Sequence, residues 1–426
     1  MERYSEYKDS GVQWLGEIPG HWKRVNLRKL CSLKTGTTPK FYENPITGNV
    51  IDWYTPSDFR EKIFLGESSR KLNQLDVDNT GLTLIPAMSV LIIGIGGTAG
   101  KVACCTNECY SNQQITSLIP NDKVEPLYLT FFLRCKRQEL LNTAHFTTLP
   151  ILNNQFLSGL FIPLPPLSEQ RAIVSYLDSK CEKIDKMIEG KEKQIALLEE
   201  LKQRTIADAV MRGLNPDVKM KTTNISWLEE IPEHWITRRL GSLFTGDVET
   251  NKDFEFKRAF KFNYGQLVAK NEVGDPEEYH DVYVKYSKVR LGDILVNGLN
   301  LNYDFVSQRV ACAPSEGIIT SAYIVCRPRE GVNYEYYTFL LKSMDNMKLF
   351  HGMGTGIRLT LSYKEIKKQI VPVPPLSEQR AIVSYINERT EKINTLTSKL
   401  QQEIESIKEY KQRLICDVVT GQIKVC

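Results

Sequence analysis

The glycine-rich stretch "GIGGTAGK" at 94–101 is the first whose residue types suggest chemistry, since glycines let a backbone wrap closely around phosphate. Its spacing fits neither phosphate-binding fingerprint. In the G-x-G-x-x-G pattern Ala99 stands at the last glycine, and the "KVACCTNECY" run at 101–110 lacks the helix such a site requires. In the P-loop pattern Ile95 replaces the first glycine and Val102 the Ser/Thr. Two readings stay open: a loop whose backbone approaches DNA phosphate, or a plain β-turn. "CCTNEC" (104–109) has no second cysteine pair or nearby histidine to complete four metal ligands, so buried thiols and no metal are expected. The five histidines (21, 145, 234, 280, 351) are dispersed. "PDVK" (216–219) lacks the further carboxylate-x-Lys of a nuclease motif and reads as linker. The chain has no N-P-P-[YF] or D-P-P-Y step, which amino-methyltransferases use on a flipped base. No catalytic residue is expected, and no cofactor held by the chain itself.

The surrounding chain bounds what these residues can serve. At 426 residues it can form two or more domains with separate cores, and 42% hydrophobic content is ordinary for a globular protein. It contains no run of eighteen apolar residues and no charged-then-apolar leader, so a cytoplasmic protein is expected. Its ten cysteines form no framework and read as buried reduced thiols. A net charge of +4 is too small to announce a nucleic-acid binder, but its distribution is informative. Residues 23–164 carry fifteen basic against eleven acidic side chains, and 236–373 carry nineteen against sixteen. The remainder is acidic on balance, so the positive excess sits where phosphate would be met.

Self-similarity organises the chain. "PPLSEQRAIVSY" at 165–176 recurs at 374–385, an offset of 209. "QWLGEIPGHW" (13–22) matches "SWLEEIPEHW" (226–235), "YLTFFL" (128–133) echoes "YYTFLL" (336–341), and "RTIADAVMRGL" (204–214) aligns with "RLICDVVTGQI" (413–423). A period this long is a duplicated half rather than a solenoid repeat, and two like halves imply an internal pseudo-two-fold. The N-terminal Trp element should then pack near the end of the second charged segment, as its copy follows the first.

Both charged segments are predicted helices. Prolines end what precedes them, Ser168 and Ser377 are placed as caps, and only Gly190 interrupts the runs to about 206 and 415. Apolar residues step by four and three: Leu177, Cys181, Ile184, Ile188, Ile195 and Leu198, then Ile386, Ile393, Leu400, Ile404, Ile407 and Leu414. Lys191, Thr390 and Thr397 share that stripe, which is a coiled-coil seam. Residues 178–204 carry seven acidic and seven basic side chains, a balance that suits protein neighbours rather than a DNA groove. Glu169-Gln170-Arg171 recurs as Glu378-Gln379-Arg380 while the segments between differ, so both triplets are expected to meet the same partner.

"GEIPGHW", the duplicated "PPLSEQRAIVSY" and the long helix after each resemble the specificity (S) subunit of type I restriction–modification systems, across essentially the whole chain. The resemblance implies an α+β fold: two target-recognition domains joined by two long antiparallel coiled-coil helices. The expected divisions are 1–22 (N-terminal repeat element), 23–164 (recognition domain 1), 165–212 (central helix), 213–235 (linker and second Trp element), 236–373 (recognition domain 2) and 374–426 (C-terminal helix). It also implies partners: double-stranded DNA, two methyltransferase (modification) subunits and restriction/motor subunits. S-adenosylmethionine, ATP and Mg would belong to those subunits. Heads spaced near one DNA turn, ~34–36 Å, would read two half-sites on one face. Those half-sites should differ, because "GIGGTAGK" has "NGLNLNYDF" (297–305) at the comparable place.

Base contacts favour Arg with guanine and Asn or Gln with adenine. In the first domain "KTGTTPK" matches a family loop of small polar residues near DNA, which nominates Lys34, Thr35, Gly36, Thr37, Thr38 and Lys40. Lys101, Gln113 and Gln114 join them. In the second the candidates are Tyr264, Asn300, Asn302, Arg309 and Arg358. "WYTPSD" (53–58) resembles a family framework motif, and the family turn "LGDIL" (291–295) is replaced by "AMSVL" (87–91) in the first domain. A reading from another class is a coiled-coil scaffold whose two domains bind protein, which would lack the steep salt dependence of a DNA binder.

Overall fold

The computed structural model describes residues 2–39, 50–73, 77, 82–143, 151–270, 276–301, 308–354 and 359–425. The chain folds as two compact units, one of residues 1–191 with 401–426 and one of residues 192–400. Each unit therefore takes a share of both long helices.

Unit 1 opens with a hairpin of β1 (Tyr7–Asp9) and β2 (Glu17–Pro19), then β3 (Lys23–Asn26) and β4 (Cys31–Thr35). β5 (Val50–Tyr54), β6 (Arg70–Asn73), β7 (Val90–Ile93), β8 (Val102–Cys104), β9 (Tyr110–Ser111) and β10 (Ile115–Pro120) follow. Helices α1 (Pro126–Cys135), α2 (Arg137–Thr143) and α3 (Asn154–Gly159) precede β11 (Phe161–Leu164) and the central helix α4 (Leu167–Arg212). The main sheet runs β4-β10-β7-β8 and is antiparallel throughout. β7 reads Val-Leu-Ile-Ile and is buried at every position, as a strand covered on both faces must be.

Unit 2 repeats this plan. β12 (Met220–Ile225) and β13 (Leu228–Pro232) form the counterpart hairpin, and β14 (Ile236–Arg239), α5 (Leu240–Leu243) and β15 (Phe244–Thr245) follow. β16 (Phe260–Asn263), β17 (Gln266–Ala269), α6 (His280–Tyr283), β18 (Ser287–Val289), β19 (Ile294–Val296), β20 (Val310–Cys312), β21 (Gly317–Ile319) and β22 (Ile324–Pro328) come next. α7 (Tyr334–Asn346), α8 (Tyr363–Ile366), β23 (Ile370–Val373) and the C-terminal helix α9 (Leu376–Val419) complete it. Its sheet order, β15-β22-β19-β20, copies that of unit 1, and the β14–β23 pair copies β3–β11. The duplication read from the letters is thus a duplication of topology.

α4 and α9 run antiparallel. In unit 1 Lys411 Nζ bonds Asp185 at 2.6 Å, and Lys191 pairs with Glu403. In unit 2 Lys202 Nζ bonds Asn394 Oδ1 at 2.8 Å. Leu177, Cys181, Ile184, Ile386, Ile393, Ile404 and Leu414 are buried; Ile188, Lys191, Ile195, Leu198, Thr390, Thr397, Leu400 and Ile407 are half-buried. The predicted seam is the observed one. Ser168 and Ser377, by contrast, lie inside the first turns. The Pro166 carbonyl already accepts from the Glu169 and Gln170 amides, and Pro375 does the same for Glu378 and Gln379. The helices also run further than expected, to residues 212 and 419, stopping before Gly213 (φ +79°) and Gly421 (φ +77°).

The cysteines depart from the reduced-thiol expectation at one place. Cys135 at the end of α1 is bonded to Cys416 of α9, 281 residues away, with Cα atoms 5.2 Å apart. The other cysteines among the described residues are free, and burial pushes Cys31, Cys104 and Cys326 up to about 12.

Candidate nucleic-acid interface

In each unit the Trp element is held to the start of the long helix by a matching junction. Trp22 is fully buried, and its Nε1 donates to Glu169 Oε1 at 3.0 Å. The Tyr4 hydroxyl and His21 Nε2 reach the same carboxylate at 2.5 and 2.8 Å. Trp235 and His234 bond Glu378 at 3.0 and 2.8 Å in unit 2. A buried indole N–H needs an acceptor, and a charged one bonds it strongly. The next residue closes the joint. Gln170 Nε2 donates to the Pro165 and Lys123 carbonyls while its Oε1 accepts from the Glu125 amide; Gln379 Nε2 donates to Pro374. The helix ends arrive at the same places: Gly421 abuts Pro19 and Trp22, where a side chain would collide, and Gly213 abuts Trp235 and Pro232, where a side chain would be tight and its positive φ strained. The Tyr7 hydroxyl bonds the Gly421 carbonyl at 2.8 Å, which is the N-terminal packing that the repeat predicts. Tyr128 and Tyr336, equivalent in the repeat, hydrogen-bond the Val419 and Val210 carbonyls.

The identity of the two Glu-Gln-Arg triplets therefore has an internal cause that the letters did not reveal. Glu169, Gln170 and Gln379 are buried, and Glu378 is half-buried. Arg171 and Arg380 are exposed, with Arg171 3.6 Å from Glu125.

In unit 1 the structure gathers a polar cluster where β4, β9 and β10 meet. The Gly36 and Thr37 amides donate to the Ile115 and Ser111 carbonyls at 3.0 and 2.8 Å. A Cβ at Gly36 would strike the Ser111 and Asn112 carbonyls, so the close approach requires glycine. Trp53 Nε1 donates to the Thr37 carbonyl at 3.2 Å, giving the "WYTPSD" motif its framework part. Thr38 bonds Gln113, whose side chain is exposed, and Asn112 Nδ2 bonds Gln114 Oε1 at 3.1 Å. Asn154, which the sequence reading missed, donates to Thr35 and accepts from Thr116, each at 2.9 Å. Only its place at the start of a short helix, among "LNNQF", hints at it. Lys34 is exposed on β4. The "GIGGTAG" stretch is the β7–β8 hairpin connection, with Gly96 (φ +113°) and Gly100 (φ +77°) in its turns.

Lys101 does not bond within this cluster. Its ammonium lies 3.6 Å from Glu61, in a cavity of about 250 Å³ also lined by Arg60, Arg134 and Arg137. Burial lowers the pKa of Arg134, and Glu61 opposes that.

Unit 2 offers a different surface. Tyr264 caps the β16–β17 hairpin and is 78% exposed. Asn300 is exposed on the β19–β20 connection at φ +53°. Arg309 is fully buried: its guanidinium donates to the Asn297, Leu299 and Asn300 carbonyls, and its amide donates to Asp345 Oδ2 at 2.7 Å. A side chain so enclosed shapes the loop rather than reaching a base. Burial raises the pKa of Asp345, opposed by the Arg309 amide bond. Lys40, Asn302 and Arg358 lie outside the described residues.

Among the described residues no group of three or more His, Cys, Asp or Glu is placed to hold a metal ion, and no helix is long and apolar enough to cross a membrane.

This architecture, the same sheet order in each of two units, is matched by known proteins. The sequence profile of the type I restriction modification DNA specificity domain matches residues 19–199 and again 232–406. The chain belongs to that family. It is 24% identical to the type I restriction enzyme MjaVIII specificity subunit of Methanocaldococcus jannaschii, over all of this chain and 98% of that protein. It is 26% identical over 251 residues to the MjaIX specificity subunit of the same organism, a match that spans 58% of this chain and 56% of that protein. In three dimensions it resembles a chain from a structure of type I R-M complex assembly and conformational transition, with TM-score 0.69, 17% identity and coverage of 95% and 99%.

Proposed function

We propose that this chain reads a bipartite, asymmetric DNA site and positions methyltransferase and restriction subunits on it, without catalysis of its own. The observation that carries this is one frame, repeated in its strand order, its Trp–Glu junction and its long helix, beneath two unlike polar surfaces. Unit 1 would read its half-site with Thr35–Thr38, Gln113 and Gln114, with Lys34 and Lys101 on phosphate; unit 2 would use Tyr264 and the loop around Asn300. Amide side chains suit adenine edges, and small polar residues let backbone approach phosphate. Lys40, Asn302 and Arg358 remain candidates by position in the sequence. Arg171 and Arg380, exposed at the surface, would meet the methyltransferase subunits, while the Glu and Gln beside them hold the helix start in place. S-adenosylmethionine, ATP and Mg would be held by the partners, and the complex would work in the cytoplasm.

Reconstitution with a cognate methyltransferase subunit tests this. The complex should form, methylate one split sequence, and lose DNA affinity steeply with salt. Exchanging 236–373 for the corresponding region of a relative should change one half of the methylated sequence. Folded components that fail to assemble, or a flat salt response, would overturn the proposal, the latter in favour of a protein-binding scaffold.

A further inference from the structure

The β16–β17 hairpin of unit 2 has a tip that breaks the rules of its turn. Asn263 pairs with Gln266, leaving Tyr264 and Gly265 as a two-residue connection at φ +44° and +70°. Two-residue turns with both φ positive favour Asn-Gly, because asparagine and glycine tolerate the left-handed region. Gly265 obeys that rule, and Gln308 leaves no space for a Cβ there. Tyr264 does not obey it. A tyrosine held at positive φ costs stability, and packing returns little of it when the residue is 78% exposed.

The ribbon beneath the tip is two-faced. Phe260 and Leu267 are buried in the core of unit 2, and Phe262 meets Tyr323 at a tilt, with 5.3 Å between ring centroids. The opposite face presents Lys261, Asn263 and Gln266, all exposed, and Gln308 is exposed beside the turn. This is a rigidly seated ribbon with a cation, three amides and an aromatic tip facing outward. A two-stranded ribbon fits the major groove, where amides can pair with base edges and an aromatic ring can meet a base or a thymine methyl.

We propose that the β16–β17 ribbon enters a groove of the target DNA, and that Tyr264 contacts a base there through its ring rather than its hydroxyl. This rests on the DNA-reading function above and assigns one part of it to one side chain. Lys261 would meet phosphate while Asn263 and Gln266 face base edges. In unit 1 the corresponding antiparallel pair, β5 and β6, is joined by residues 55–69 rather than by a two-residue turn with an exposed aromatic tip, so the effect belongs to one half-site only.

The test uses the full chain assembled with its methyltransferase subunit on a randomised DNA library, with methylated positions sequenced. Wild type should reveal two half-sites. Tyr264→Phe should keep both preferences within about twofold, because the ring remains. Tyr264→Ala and Tyr264→Asn should weaken one or two neighbouring positions of a single half-site by about tenfold or more, the scale of one lost base–aromatic contact. Tyr264→Asn should also melt no lower than wild type, since it restores the residue the turn prefers. The inference is overturned if Tyr264→Ala methylates with unchanged preference, if Tyr264→Phe is as damaging as Tyr264→Ala, or if both half-sites weaken equally. A wild-type complex with no sequence preference would instead bring down the DNA-reading function itself, before any variant is compared.

Discussion

Trp22 and Trp235 sit in the same kind of pocket, bond the same kind of glutamate and abut the same kind of helix end, yet what the two units display is unalike. Unit 1 shows threonines and glutamines fastened around Gly36; unit 2 shows an exposed tyrosine on a ribbon and a loop held from beneath by Arg309. A duplicated frame needs its buried polar groups satisfied in both copies, so those residues recur. The display surfaces carry no such demand and have diverged. The halves also differ inside the frame. Unit 1 has the Cys135–Cys416 bond, whereas the repeat equivalents in unit 2 are Ser343 and Ala207. Gln170 Oε1 has an amide partner, while Gln379 Oε1 is buried without one among the described residues.

The sharpest way to break the parallel is at the tryptophans. Trp22→Ala and Trp235→Ala should each cost about 3–5 kcal/mol, the range for emptying a large aromatic site. Hydrogen exchange should localise each loss to its own unit; loss spread over both would mean the units are not separate folding bodies. Next comes the covalent tie. Reduction, or Cys135→Ser, should lower unit 1 by about 2–4 kcal/mol and leave unit 2 unchanged, and calorimetry showing no change in unit 1 would count against the bond.

Smaller again is the glutamate pair. Glu169 takes three donors with its side chain 8% exposed, whereas Glu378 takes two and is 26% exposed. Each buried donor left without an acceptor costs about 1–3 kcal/mol, so Glu169→Ala should be the more damaging in a urea titration. An equal loss would show that solvent replaces the carboxylate in both. The smallest effect expected is at Lys34, exposed beside the unit 1 cluster. Lys34→Ala should reduce the log-affinity against log-salt slope by about 1 with the methylated sequence unchanged, and a changed sequence would make Lys34 a base contact instead.

Much of the frame was legible because its signals are local. The heptad stripe from Leu177 to Leu198 lies on one helix face whatever the rest of the chain does, and a proline pair before a glycine-poor run marks a helix start. The second copy confirmed each reading at a known offset. Residue roles were harder to read. Glu169, Gln170 and Arg171 are consecutive and identical in both copies, but only packing showed that two face inward and one outward. Arg309 looked like a guanine reader by type, and its burial against three loop carbonyls is a tertiary fact.

The amino-acid sequence by itself determined that the chain is built twice, that two long helices pair along a narrow seam, and that the regions between them differ. Periodicity and repetition act over short spans of chain and survive without coordinates. Only the tertiary structure decided which cysteines meet across 281 residues, which carboxylate holds which indole, and which polar side chains remain at the surface. Those outcomes depend on distances between residues far apart in the chain, and burial, not residue type, sets whether a polar group works for the fold or for a ligand.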